Sequence, residues 1–169
     1  MTSLCDRVIG MGAMAVSRDI GDRLVTYALG SCLGIVVYDP VATVAGLLHV
    51  QLPSSALDLA RTRGAPAVFV DSGVPLLFRE CYRLGARKER MIVKVAGGAR
   101  TGARAGDAAM HDSFQVGLRN LLALRVVLRR NGMSIHAQAT GGLHRSRTMW
   151  VDVVTGNVTL KVDGVERAL

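Results

Sequence analysis

The chain has 169 residues, half of them apolar, and 21 Lys and Arg against 13 Asp and Glu give a formal net charge of +8. That length encloses a hydrophobic core without metals or disulfides, so one domain spanning 1–169 is expected. No apolar run approaches the roughly 20 residues of a membrane helix, and residues 1–18 lack a basic stretch followed by an uninterrupted apolar one, which excludes membrane insertion and export and makes the cytoplasm the expected compartment.

Short β-rich runs at 7–11, 24–28, 34–38 and 44–52 read as strands. Between the second and third, Leu29-Gly30-Ser31-Cys32 passes abruptly from apolar to small residues, and Asp39-Pro40 marks a turn. Residues 54–66 are polar and small, with Arg61, Arg63, Gly64 and Pro66, and predict a mobile loop. A helix is centred on 76–84, with Asp71 or Ser72 as its cap, Pro75 near its first turn and Gly85 as its stop; a start nearer Ala67 would make Pro75 a kink. After a strand at 91–95, a second helix runs from Ser113 or Phe114 to Arg130 and ends at Asn131-Gly132, with Leu118, Leu121, Leu122 and Leu128 on its apolar side. Strands at 134–139, 148–154 and 158–162 follow, and Thr155-Gly156-Asn157 supplies the turn of a terminal hairpin. The sum is an α+β fold: layered mixed and antiparallel strands packed with two main helices.

The charge is uneven, because no acid lies between Asp112 and Asp152 while Arg119, Arg125, Arg129, Arg130, Arg145 and Arg147 all do. A basic face suits nucleic acid, an anionic membrane surface or an acidic protein alike. With one Trp, three Tyr and three Phe, a stacking platform for single-stranded nucleic acid is not supported. Cys5, Cys32 and Cys81 are odd in number and far apart, which argues for free thiols rather than a disulfide framework or a zinc knuckle. Cys81, among Phe78, Tyr82 and Leu84, reads as a buried inert thiol.

A nucleophilic cysteine needs partial exposure and backbone donors for the oxyanion formed when it attacks a carbonyl. Gly30 and Gly34 flank Ser31-Cys32-Leu33 and let a substrate carbonyl approach the amides there. On this segment alone, a small buried cysteine at a Gly-containing strand end is an equal reading. His49 stands in Gly46-Leu47-Leu48-His49-Val50, an apolar strand where an imidazole is costly unless hydrogen-bonded. Adjacent strands joined through Asp39-Pro40 can set His49 beside Cys32 as base and later general acid, the pair of a thiol-dependent amide hydrolase. A structural core histidine is the competing reading.

The run Thr26-Tyr27-Ala28-Leu29-Gly30-Ser31-Cys32, followed by Tyr38-Asp39-Pro40, Gly46-Leu47-Leu48-His49 and Leu52-Pro53, closely resembles CheD, the chemoreceptor glutamine deamidase family of bacterial chemotaxis. The likeness continues in Lys94-Val95-Ala96-Gly97-Gly98-Ala99, Gly117-Leu118-Arg119-Asn120, Thr140-Gly141-Gly142, Arg147-Thr148 and Thr155-Gly156, and so covers nearly the whole chain. The resemblance implies a cysteine-hydrolase-like single domain with Cys32, His49 and Thr26 as catalytic residues. It further implies backbone donors around Gly30, Ser31 and Cys32, no cofactor and no metal. Thr26, which would otherwise pass for an ordinary strand residue, then holds the second imidazole nitrogen.

The implied substrates are glutamines of methyl-accepting chemoreceptors, and the implied regulatory partner is the phosphatase CheC. The main alternative is a non-catalytic adaptor that binds chemoreceptors or CheC; a nucleic-acid binder using the basic helix is a further one. The chain departs from the family where His136-Ala137-Gln138-Ala139-Thr140 lacks an acid before Gly141-Gly142 and where the loop at 142–147 is one residue longer, so substrate or partner contacts are expected to differ across 138–147. His111, His136 and His144 read as loop or surface residues.

Overall fold

The computed structural model describes residues 4–100, 110–143 and 145–169, and for 110–114 the helical backbone alone. In chain order the elements are β1 (Cys5–Val8), β2 (Met14–Ser17), β3 (Asp22–Leu29), β4 (Leu33–Asp39), β5 (Val44–Val50), α1 (Leu59–Gly64), α2 (Val70–Arg83), β6 (Ile92–Gly97), α3 (Met110–Arg130), β7 (Ala137–Thr140), β8 (Arg147–Asp152), β9 (Val158–Val162) and β10 (Val165–Ala168). They form an outer sheet of order β1-β3-β8-β9-β10 and a middle sheet of order β2-β5-β4-β6-β7. The β1–β3 and β6–β7 pairs are parallel and the others antiparallel, as the expected mixed α+β layering requires.

The middle sheet is covered on both faces. Leu33, Ile35 and Val37 of β4 and Val44, Leu48 and Val50 of β5 join a core with Val74, Leu77 and Cys81 of α2 and Leu124 and Leu128 of α3. The alternate residues Val36, Tyr38, Ala45 and Leu47 join a second core with Leu24, Leu29, Met149, Val151 and Leu160 of the outer sheet. Every residue of β4 and β5 is therefore buried, and their sequences read as continuous apolar runs rather than alternating ones.

Several expected boundaries shift. The polar stretch at 54–66 holds α1 and a short 3₁₀ turn at Ser55–Leu57, tied down where Asp71 accepts hydrogen bonds from the Ser54 and Ser55 hydroxyls and the Ser55 N–H. Asp71 is thus an acid in the first turn of α2 rather than its cap, and the helix starts at Val70 with Pro75 inside it. The strands β2 and β10 went unassigned in the sequence; each has only four residues, too few for a clear period. The turn Thr155-Gly156-Asn157 joins β8 to β9, and the terminal hairpin is β9–β10, turned through Asp163-Gly164.

Leu118 and Leu122 of α3 are exposed, while Gly117, Asn120, Leu124 and Leu128 form its buried stripe. A side chain at Gly117 would place Cβ 2.6 Å from the Gly98 carbonyl oxygen, so the helix seats backbone to backbone at that glycine and turns the neighbouring leucines outward. Among the described residues no helix is long and apolar enough to cross a membrane.

The turn between β4 and β5 is locked by Asp39, which is fully buried. Its carboxylate accepts from the N–H groups of Val41, Ala42 and Arg87 and from Nε and Nη2 of Arg90, the last at 2.7 Å. Burial alone would raise this carboxyl, but the guanidinium and the three amides outweigh it and hold it at about 2. An unfolded carboxyl near its ordinary 3.8 takes up a proton that the folded one refuses, so the stabilisation is full above that value and is lost as pH falls towards 2. Asp39→Ala is expected to cost about 3 kcal/mol at neutral pH, since it strands the Arg90 guanidinium and three N–H groups that all point at the buried carboxylate. Urea melts at pH 7 and pH 3 check this: the gap between wild type and variant narrows at the lower pH.

Candidate active site

The register of β4 and β5 decides which side chains meet. Leu33 pairs with Val50 and Gly34 with His49, so Gly34 and His49 lie on the face turned towards the outer sheet. Cys32, just before β4 and two residues from Gly34, packs against the core on that same face. Cys32 lies one residue before the β4–β5 ladder, which ends at the Leu33–Val50 pair, and shares its sheet face with His49. The residue directly opposite His49 has no side chain: Cβ at Gly34 would lie 2.7 Å from Leu29 Cδ1 and 2.9 Å from Met149 Sδ.

His49 is fully buried, and its partner is Thr26 from the facing sheet, with Oγ1 2.7 Å from Nδ1. Thr26 Oγ1 also donates to the Ile9 carbonyl at 2.7 Å. A hydroxyl has one proton to give, so towards the imidazole Thr26 can only accept. Nδ1 therefore carries the hydrogen and Nε2 is left with its lone pair, buried and without a partner among the described residues. Burial pushes the imidazole down to about 4, so the ring is neutral at physiological pH.

Cys32 is half-buried. Burial raises its thiol above the ordinary value, against a smaller lowering by its own backbone N–H. The resting pair is thus neutral thiol and neutral imidazole, and no hydrogen bond joins Nε2 to the sulfur in this state. Cys81 is fully buried and pushed by burial to about 12, in keeping with an inert thiol, while Cys5 is exposed.

The loop carrying Cys32 is held by its carbonyls. The Gly30 oxygen accepts from Ala99 N–H and the Cys32 oxygen from Gly98 N–H, both at 2.8 Å, and the Ser31 oxygen accepts from Asn120 Nδ2 at 3.3 Å. The Gly30 N–H turns back to Ala28 O at 3.0 Å, so Gly30 is not a free donor. Upstream, a register shift between Thr26 and Leu29 interrupts the β3–β8 pairing and Ala28 sits at φ 58, a bulge that re-aims the chain into the loop. Gly97, at φ 109, lies so close that Cβ there would be 2.1 Å from the Cys32 oxygen; no other residue fits.

The structure brings Thr26 and His49 into contact and sets Cys32, Ser31 and Gly30 at the same end of the sandwich. Two polar residues of this end had no role assigned from sequence. Asn120 is fully buried on α3, signalled by an amide standing in a stripe with Gly117, Leu124 and Leu128. Arg147 opposes Leu29, is 4% exposed, and donates from Nη2 to Gly141 O at 2.6 Å, while Nε and Nη1 find no partner among the described residues. Its signal was phase, since it alternates with the buried Met149 and Val151. His136 binds the Val93 N–H through Nδ1 at 3.0 Å and so anchors the approach to β7; His144 and the side chain of His111 lie outside the described residues.

The family model described as CheD chemotactic sensory transduction matches residues 51–162. The chain is 41% identical over 161 residues to the probable chemoreceptor glutamine deamidase CheD 1 of Syntrophus aciditrophicus, covering 94% of this chain and 95% of that one. It is 40% identical over 163 residues to the probable chemoreceptor glutamine deamidase CheD of Syntrophotalea carbinolica, covering 95% and 96%. Among solved structures, it is similar to a Neisseria meningitidis protein of the DUF152 family at 15% identity and a TM-score of 0.45, over 83% of this chain and 64% of that one.

The tautomer assignment has a direct test. Nitrogen NMR of ring-labelled protein at pH 7 is expected to show His49 protonated on Nδ1 alone and charging only near pH 4. Because the unfolded imidazole titrates near 6.5, stability contributed by the neutral ring falls as pH drops from there towards 4. Thr26→Val, which strands the Nδ1–H and the Ile9 carbonyl, is expected to lower stability by about 1–3 kcal/mol in denaturant melts and to scramble the tautomer.

Proposed function

The chain belongs to the CheD family, and from that premise we propose that it hydrolyses glutamine side-chain amides of chemoreceptors to glutamate, with Cys32 as nucleophile, His49 as base and acid, and Thr26 as the residue that orients the imidazole. The observation that carries this reading is the unpartnered Nε2 of His49, fixed as an acceptor by Thr26 and lying on the same sheet face as Cys32. A buried lone pair without a donor is a cost in a purely structural histidine and is what a general base requires.

In the proposed reaction the Cys32 proton passes to Nε2 as sulfur attacks the amide carbon. The carbonyl oxygen takes the negative charge and is held by the Ser31 and Cys32 N–H groups. The imidazolium gives its proton to the leaving nitrogen, the C–N bond breaks and ammonia departs, leaving a thioester. Water, deprotonated by Nε2, then attacks the thioester; sulfur leaves and is reprotonated, and the side chain ends as a carboxylic acid. Receptor regions that expose such glutamines to the cytoplasm place the enzyme there. The exposed Arg125, Arg129 and Arg130 of α3 favour encounter with acidic helices, and a CheC-type phosphatase is the regulatory partner the family suggests.

A non-catalytic adaptor is the second reading, favoured by the raised thiol and by the lack of a hydrogen bond between the sulfur and Nε2. Against that, catalytic hydrogen bonds are often loose until substrate binds. The two readings part in one assay, in which a glutamine-containing receptor fragment is incubated with purified protein and followed by ammonia release and peptide mass. Wild type is expected to turn over, with Cys32→Ala reduced by about a thousand-fold or more and His49→Gln by a similar factor. Absence of turnover in wild type while it still binds the fragment would establish the adaptor. The acid limb of kcat/KM is expected near pH 4, where His49 charges.

A further inference from the structure

We infer that Asn120 is a positioning residue that sets the spacing of Cys32 and His49, a role that rests on the deamidase reading above. The pairing of β4 with β5 ends at Leu33 and Val50. Beyond that pair the chains diverge, since the next amide, Gln51 N–H, leaves for the Val68 carbonyl at 2.8 Å. At this gap the side-chain amide of Asn120 donates from Nδ2 to Ser31 O at 3.3 Å and to Gln51 O at 3.0 Å. Ser31 directly precedes the nucleophile and Gln51 stands two residues past the base. One NH₂ group therefore bridges the two segments that carry the chemistry, in the place where the backbone ladder no longer does.

The residue type follows from the bridge. A primary amide has two hydrogens on one nitrogen, so a single atom serves two carbonyls. A serine would serve one of them and an aspartate neither. The reach is short, and it is met because Gly117, one turn earlier on the same helix face, lets α3 approach the Gly98 backbone. The amide orientation is settled by the two carbonyl partners, which puts Oδ1 on the far side, buried and without a donor. A leucine like those at 124 and 128 would avoid an oxygen that finds no donor among the described residues, but would leave the Ser31 and Gln51 carbonyls without the Asn120 amide.

The test compares Asn120→Asp, Asn120→Ser and Asn120→Ala with Leu124→Ala, a change in the same buried stripe whose side chain can make no hydrogen bond to either loop. Each is measured for thermal stability, for kcat and KM on the receptor fragment, and for the pH profile of Cys32 alkylation read by peptide mass spectrometry. Asp and Ala variants are expected to lose roughly ten-fold or more in kcat, because small displacements of reacting groups are that costly. Their KM changes little, their Cys32 alkylation slows, and the Ser variant falls between them and wild type. Leu124→Ala is expected to lose stability while keeping kcat. Folded Asn120 variants whose kcat and alkylation match wild type, or fall only as far as Leu124→Ala at equal stability loss, overturn the inference; if the Ala variant does not fold, the Asp and Ser variants decide. Wild-type protein without His49-dependent Cys32 reactivity overturns the deamidase reading and this inference with it, whereas an active wild type with unaffected Asn120 variants overturns the inference alone.

Discussion

Thr26 gives its one hydroxyl proton to the Ile9 carbonyl and so must accept from His49, and the chemistry of the interior turns on this. The contact crosses the space between two sheets, so it exists only if both stack in the right register and if the bulge after Thr26 leaves that residue pointing inward. It also fixes the histidine without a charge. An aspartate in the same place would have brought a second buried ion, and with it a demand for further partners. The threonine holds the ring by a neutral hydrogen bond, in keeping with an imidazole that rests uncharged.

The middle sheet supplies the frame for that contact. Both of its faces are covered, by helices on one side and by the outer sheet on the other, so the strands next to the site have nowhere to move. Function is concentrated where the covering layers are thinnest in side chains. Gly34 opposite the imidazole leaves room for the Leu29 and Met149 side chains, while Gly97 against the Cys32 carbonyl and Gly117 against Gly98 each remove a Cβ where backbones approach closely. Packing at the latter two points is backbone on backbone, and nearby carbonyls are taken up by Gly98 and Ala99 amides and by Asn120.

Much of this was legible in the residues. The central strands declared themselves through apolar runs, whereas the Gly-Ser-Cys loop and the costly histidine of an apolar strand were balanced against structural readings until the family resemblance weighted them. What the chain could not disclose were quantities set by distant contacts. Thr26 has the same β-branched form as any strand residue, and only its resemblance to a family motif singled it out. The stripe of α3 that faces the core was ambiguous because leucines occupy two adjacent stripes; the contact of Gly117 with Gly98, far apart in sequence, chooses between them. The cap of α2 was misplaced for a similar reason, since Asp71 is satisfied by serines from an earlier turn rather than by its own helix. The elevated thiol was equally hidden, because burial is a property of the assembled layers.

That thiol has a consequence outside the reaction. Peroxides and disulfides are attacked by thiolates, and a cysteine kept protonated at neutral pH reacts with them slowly. Cys32, half-buried and with its thiol raised by burial, is therefore slow to form sulfenic acid or mixed disulfides. The exposed Cys5, far along the chain from the site, is the thiol that meets an oxidant first. Such an arrangement keeps the Cys32 thiol slow towards oxidants and leaves Cys5 the more accessible one.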